Sequence, residues 1–289
     1  FLAKVSVTIK GSFGSGRQLD EKASFRLNLD AYVPGQRLRG LEHITLNNLV
    51  ADASLVHEAV GYDLFREADV PAARTAYALV YLNGVYRGVY LHLDSFDDQF
   101  LKRWFDDPDG NLYEGEYGAD VTKNNRGSME KDEQGSNDVE DRSDINGLTY
   151  FLSQPPSEDL MPEFEALVDL DRSLKMMAGE VAIAQWDGYY YAANNYRIYH
   201  NPTHDQWTLI PSGLDLSFGS GRSIHDGDSQ IAAWCLAVPS CLERFDFALW
   251  EMAERLQNRD VAQMTADTTD LILPWYVLDT YTENSPSEM

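Results

Sequence analysis

Polar and apolar residues alternate along the first third of this chain and recur at helical spacing through most of the remainder. Lys4-Val5-Ser6-Val7-Thr8-Ile9-Lys10 alternates strictly, the pattern of a half-buried strand. A glycine-rich stretch, Gly11 to Arg17, separates it from Ala23–Leu29, where Phe25, Leu27 and Leu29 share one face. His43–Leu49 reads as another short strand. Asp52-Ala53-Ser54 then opens a helix whose Leu55, Val56, Ala59, Val60, Leu64 and Phe65 fall at helical spacing. Two apolar runs, Ala76–Leu82 and Val85–Leu93, flank Asn83-Gly84, the strongest short-range signal for a hairpin. Beyond Asp94-Ser95-Phe96 the period becomes helical, at 97–105, 163–168, 171–185, 242–257 and 260–271. One β-rich interruption falls at Tyr196–Tyr199 and Gln206–Ile210 around Asn201-Pro202. The pattern predicts an α+β protein with a β-rich part over residues 1–96 and a mainly helical part over 97–289. Gly118–Gly147 is polar and reads as a long surface loop. The tail from Thr280 reads as frayed.

Composition narrows this picture. The 289 residues can bury a large core as one big domain or as two lobes. Lys and Arg number 23 against 47 Asp and Glu, a formal net charge of -24. Such a charge repels nucleic acid and disfavours anionic membrane surfaces, so a nucleotide would arrive as a metal complex. No run of about 18 apolar residues suggests a membrane span. The strand pattern is already under way at the first residues, so we expect any signal peptide to precede this sequence. Cys235 and Cys241 flank Pro239 and read as a disulfide in preference to two free thiols, which points to an extracytoplasmic setting. The acids of the 118–147 stretch, Asp132, Glu133, Asp138, Glu140, Asp141 and Asp144, do not match the spacing of a Ca2+-binding loop.

The candidate chemistry lies in WDGYYYAANNYRIYHNPTHDQWTLIPSGLDLSFG, from Trp186 to Gly219. One carboxylate, Asp187, stands at the exit of an apolar helix. Two amides, Asn194 and Asn195, precede the hairpin, and a second carboxylate, Asp215, follows it between Leu214 and Leu216. An amide and a carboxylate offer hard oxygen ligands to Mg2+ or Mn2+. The other acid is then free to take a proton from an attacking hydroxyl. The same residues also suit turns and helix caps. In the β-rich part, Gly14 and Ser15 lie in a turn whose amides could approach phosphates, and Lys22 starts the following strand. A plain hairpin turn and a solvated lysine are the ordinary alternatives, as an exposed helical residue is for Glu58.

Five segments in order resemble the CotH kinase family: EKASFRLNLD, LEHITLNNLVADASLVHEAVGYDLFREADVP, LNGVYRGVYLHLDSFDDQFLKRWFDDPDGNLYEGEYGADVT, WDGYYYAANNYRIYHNP and IPSGLDLSF. With WDGY, NNYR-Y and the C-x5-C spacing, the chain resembles secreted members from Gram-negative bacteria more than spore coat members. The resemblance implies an atypical protein-kinase-like fold over residues 1–289, with 1–96 as its β-rich N-lobe and 97–289 as its helical C-lobe. It implies ATP- and metal-dependent phosphorylation of a secreted or cell-surface protein substrate on Ser or Thr. By that likeness Lys22 would hold the nucleotide phosphates beside Gly14 and Ser15, with Glu58 paired to it. Asp187 would be the catalytic acid residue facing the hydroxyl. Asp215 would be the principal ligand of Mg2+ or Mn2+, joined by Asn195 or Asn194. The chain departs from the family pattern at Asp94, where Glu is usual, and at Ser212-Gly213-Leu214-Asp215, where Trp-(Asp/Gly)-x-Asp is frequent. A catalytically silent extracellular module and a two-carboxylate hydrolase using Asp187 and Asp215 are the competing classes.

Overall fold

A computed structural model describes residues 4–11, 14–115, 117–133 and 141–285. Its mixture of helices and antiparallel sheets is the expected α+β class. The chain divides into two units. One holds residues 1–60, 73–100 and 260–289, and the other holds 61–72 and 101–259.

The first unit is built on an antiparallel sheet of β1 (Ser6–Lys10), β2 (Ser24–Asn28), β3 (His43–Asn47), β4 (Thr75–Leu82) and β5 (Val85–Leu93), in the order β1-β2-β3-β5-β4. The alternation in the sequence sets the register. Ile9 lies opposite Phe25 and Val7 opposite Leu27, so the apolar residues of β1 and β2 pair with each other. Asn83 and Gly84 join β4 to β5 with φ of 51° and 81°, the left-handed pair that a tight hairpin turn demands. The helix expected from Asp52 begins five residues later, as α1 (His57–Glu67). Asp52 still organises its start, accepting hydrogen bonds from the amides of Ser54 (2.9 Å) and His57 (2.8 Å). Asp94, at the end of β5, is buried and accepts from Arg74 Nε at 2.8 Å.

The last helix corrects the division made from the pattern. α9 (Val261–Tyr276) groups with the N-terminal strands, not with the other late helices. Its Ile272 and Tyr276 pack with Leu49, Leu55, Val89 and Leu91 in one buried cluster. Helical periodicity shows that a helix has an apolar face but not which sheet that face covers.

The second unit contains α2 (Asp98–Trp104, all but its first three residues), β6 (Asn111–Gly115), β7 (Met129–Glu133), α3 (Ile145–Leu152), α4 (Met161–Leu167), α5 (Leu170–Ala182) and α6 (Tyr189–Ala192). It continues with β8 (Tyr196–Asn201), β9 (Gln206–Pro211), α7 (Gln230–Leu236) and α8 (Pro239–Asn258). Its sheet runs β7-β6-β8-β9. β7 lies within the stretch expected to be a surface loop. The side chains of Asp132 and Glu133, and all of Asp138 and Glu140, fall outside the described residues. Asp144 is no loose acid. It accepts hydrogen bonds from Asn111 (2.8 Å), Tyr113 (2.7 Å) and the amide of Ile145 (2.9 Å). Burial works against its charge, but bonds from His200, Asn111 and Tyr113 outweigh that and hold it at about 2. Gly179 lets α5 sit close to the core, because a Cβ there would lie 2.2 Å from the Phe65 ring. Cys235 and Cys241 form the expected disulfide across the α7–α8 junction, with Cα atoms 5.1 Å apart. Among the described residues no helix is long and apolar enough to cross a membrane.

Candidate active site

Asp187 sits in the turn between α5 and α6. α5 stops at Ala182 and Ala184 takes a left-handed φ of 52°, so the acid stands five residues past the helix end and not directly at its exit. Its half-buried carboxylate is held by the two amides singled out in the sequence. Asn194 donates Nδ2 to Oδ1 at 3.1 Å, and Asn195 donates Nδ2 to Oδ2 at 2.9 Å and to the Asp187 carbonyl at 3.0 Å. Ala193 and Asn195 reach these positions through left-handed backbone, φ 45° and 49°. Asparagine tolerates that conformation better than most residues.

Below this turn lies a residue that the sequence reading passed over. Glu180 of α5 is 0 % exposed, and its two carboxylate oxygens accept the amides of Tyr189 (3.0 Å) and Tyr190 (2.7 Å). Burial pushes its carboxyl up to about 8. The two amides pull the other way, and Asp187 adds to the rise. The signal was present in the sequence: Glu180 occupies a position of the buried stripe formed by Met176, Met177 and Ile183. An acid on that stripe must be paired within the fold.

The Asp215 loop is tied to the Asp187 turn through the backbone. The Ser212 amide donates to the Asn195 carbonyl at 3.0 Å, and buried Gln185 donates Nε2 to the Gly213 carbonyl at 2.6 Å. Gly213 has φ 56°, and a Cβ on it would lie 2.6 Å from Asn195 Oδ1. Asn195 directs its amide nitrogen to Asp187, which leaves that oxygen with no internal donor among the described residues. Leu214 is fully buried and Asp215 half-buried. Leu216, expected to bury as Leu214 does, is only half-buried. Ser217 closes the turn by donating Oγ to the Leu214 carbonyl at 2.6 Å. Among the described residues no three His, Cys, Asp or Glu side chains gather as a metal cluster. The carboxylate of Asp215 and the amide oxygen of Asn195 are hard oxygen donors, the type that Mg2+ or Mn2+ prefers. The space beside Gly213 keeps the Asn195 oxygen uncovered.

In the first unit Lys22 is 1 % exposed. Its ammonium forms an ion pair with Asp279, whose side chain is fully buried, and lies 5.5 Å from the Tyr90 ring centre and 5.9 Å from that of Tyr276. Burial lowers its pKa and Asp279 opposes that fall. The expected Lys22–Glu58 pair is not made. Buried Glu58 accepts instead from Asn47 Nδ2 at 2.8 Å, and Asn47 accepts Lys10 Nζ at 2.7 Å. The physical reason lies in the place of α9. By delivering Asp279 into the first unit, it supplies a nearer carboxylate than the helix after β3. Gly88, φ 105°, makes room for it, since a Cβ there would fall 1.8 Å from Asp279 Oδ2. Gly14, φ 88°, and Ser15 lie in the turn before Lys22. Asn48 holds that turn through the carbonyls of Ser15 (2.9 Å) and Lys22 (2.7 Å). Neither Asn48 nor Asp279 had been singled out. Each stands next to another polar residue, Asn47 or Thr280, with nothing local to set it apart, and its partner is distant in sequence.

Comparison with known proteins identifies the family. The family model described as CotH kinase protein matches residues 7–266. Inner spore coat protein H of Bacillus subtilis (strain 168) is 26% identical over 215 residues, covering 71% of this chain and 56% of that protein. Invasin CotH3 of Rhizopus delemar is 28% identical over 131 residues, 42% of this chain and 21% of the relative. Invasin CotH2 of the same fungus is 22% identical over 215 residues, 68% and 36%. The chain thus spans little more than half, or less, of the length of these curated relatives. With the family match covering most of its length, the chain belongs to the CotH kinase protein family.

Proposed function

We propose that this protein is an atypical kinase that transfers the γ-phosphoryl group of ATP to a protein Ser or Thr hydroxyl with Mg2+ or Mn2+. The observation that carries this reading is the division of labour at the Asp187 turn. Both amides spend their N–H groups on Asp187, and the Asn195 oxygen remains open beside the loop that bears Asp215. Asp187 accepts the proton that the hydroxyl loses as its oxygen bonds to the γ-phosphorus and the bond to ADP breaks. Asp215 and Asn195 would hold the ion, with Asn194 assigned to orienting Asp187. When bound, the ion supplies positive charge against the phosphates in a protein of net charge -24. A buried disulfide supports an extracytoplasmic setting and a secreted or cell-surface substrate.

A second reading, a silent surface module, has one observation in its favour. Lys22, the phosphate ligand that the family likeness implies, is sealed against Asp279. Two relatives carry the name invasin, which fits attachment as well as catalysis.

Calorimetric titration with Mg-ATP and Mn-ATP, beside a radiolabel transfer assay, separates the two. Asp215→Ala should abolish metal-dependent binding. Asp187→Ala should keep affinity within a few-fold and lose transfer by about 10³-fold or more. Wild-type protein that binds no nucleotide with either ion overturns the kinase reading in favour of the silent module.

A further inference from the structure

We propose that Glu180 is a positioning residue for Asp187: it fixes the Asp187-Gly188-Tyr189 turn from beneath, so that the side-chain amides of Asn194 and Asn195 meet the Asp187 carboxylate. The inference rests on Asp187 being the proton acceptor. Three observations carry it. First, Glu180 is 0 % exposed, and both of its oxygens are spent on two successive amides, Tyr189 and Tyr190, immediately beyond the Asp187-Gly188 pair. Burying a carboxyl group is costly, and here its hydrogen bonds go to this turn. Second, Gly188 exists to admit it. A Cβ on Gly188 would lie 2.4 Å from Glu180 Oε1, although Gly188 has an extended φ of -89° that any residue can adopt. The glycine is required by the carboxyl group and not by the backbone. Third, α6 is a single turn ending at Ala193 in left-handed conformation, so the amides that Glu180 holds at one end set where Asn194 and Asn195 emerge at the other. A short, otherwise weak element is pinned at the point where its placement decides the catalytic geometry.

The test uses two substitutions that disturb the same contact from opposite sides. Glu180→Gln leaves one acceptor and turns an NH2 against the second amide, while Gly188→Ala fills the cradle. In both, kcat for phosphoryl transfer should fall about 100-fold, the size expected for roughly 1 Å of misplacement, with KM and Kd for Mg-ATP within threefold of wild type. A purely structural role would lower thermal stability and leave kcat of the folded fraction within threefold, and that result overturns the proposal. NMR supplies a readout independent of activity. The side-chain NH2 resonances of Asn194 and Asn195 should shift together with the backbone amides of Tyr189 and Tyr190 in either variant. If the backbone amides move and the asparagine side chains stay, Glu180 does not position Asp187, even should wild-type protein prove unable to transfer phosphate. If Glu180→Gln fails to fold, Gly188→Ala decides both readouts alone.

Discussion

Lys22 and Asp187 are both charged residues placed by the same family likeness in one catalytic scheme, yet the fold treats them in opposite ways. Lys22 is enclosed. Its counter-charge comes from Asp279, 257 residues later in the chain, two tyrosine rings lie near it, and a left-handed glycine is reserved for the carboxylate that pairs with it. Asp187 remains half-buried, its partners come from within eight residues, and all of them are neutral donors. A buried ion pair with a built recess keeps its charges for the fold. A carboxylate steadied by neutral amides keeps its negative charge available to an incoming group. The difference supports the proposal that Asp187 serves the chemistry, and it ties Lys22 into the fold in a way that its position in the sequence did not suggest.

The sharpest way to break this comparison is to remove one partner of the enclosed pair. Lys22→Met should leave Asp279 buried without a counter-charge and destabilise the protein by about 3–5 kcal/mol, measured by chemical denaturation. Asp279→Asn and Gly88→Ala should also destabilise, the latter because its Cβ displaces the carboxylate. The double variant Lys22→Met/Asp279→Leu should recover most of the loss. A single Lys22→Met variant as stable as wild type would show that the pair is idle.

A smaller effect concerns pH at the Asp187 turn. The Glu180 carboxyl is raised from an ordinary 4.5 to about 8 by burial. A raised folded-state value means that this contribution to stability is fully present below pH 4.5 and is lost as pH rises towards and through about 8. The difference in denaturation midpoint between wild type and Glu180→Gln should therefore change steadily across pH 4.5 to 8 and level off above it. A difference independent of pH would mean that Glu180 is ionised throughout.

The smallest expected effect is at Gly213. Gly213→Ala would place a methyl group 2.6 Å from Asn195 Oδ1 on a backbone with φ 56°. Backbone strain of about 1–2 kcal/mol is expected, together with a roughly tenfold loss of Mn2+ affinity as the amide oxygen is covered. Calorimetry with Mn2+ checks this. Unchanged affinity would remove Asn195 from the ligand set and leave the metal to Asp215 and whatever else the loop offers.

Local pattern, read along the sequence, determined the strands of the first unit, the Asn83-Gly84 hairpin, the β8–β9 pair and the apolar faces of α5 and α8, because residues that decide these features lie within a few positions of one another. It also brought out Asp187, Asn194 and Asn195, which are joined by short-range hydrogen bonds. Cys235 and Cys241 were legible for the same reason. What lay beyond it was every choice between distant partners. Lys22 takes Asp279 and not Glu58 because α9 packs on β5, and nothing in its periodicity names that sheet. β7 escaped notice because a polar strand at the margin of its sheet lacks the alternation by which strands are recognised. Glu180 showed itself only as an acid on a buried stripe, and its partners are main-chain amides, which carry no mark in the sequence. Burial and long-range pairing are properties of the packed chain, so tertiary structure alone decided which charged residues are enclosed with a partner and which remain half-buried.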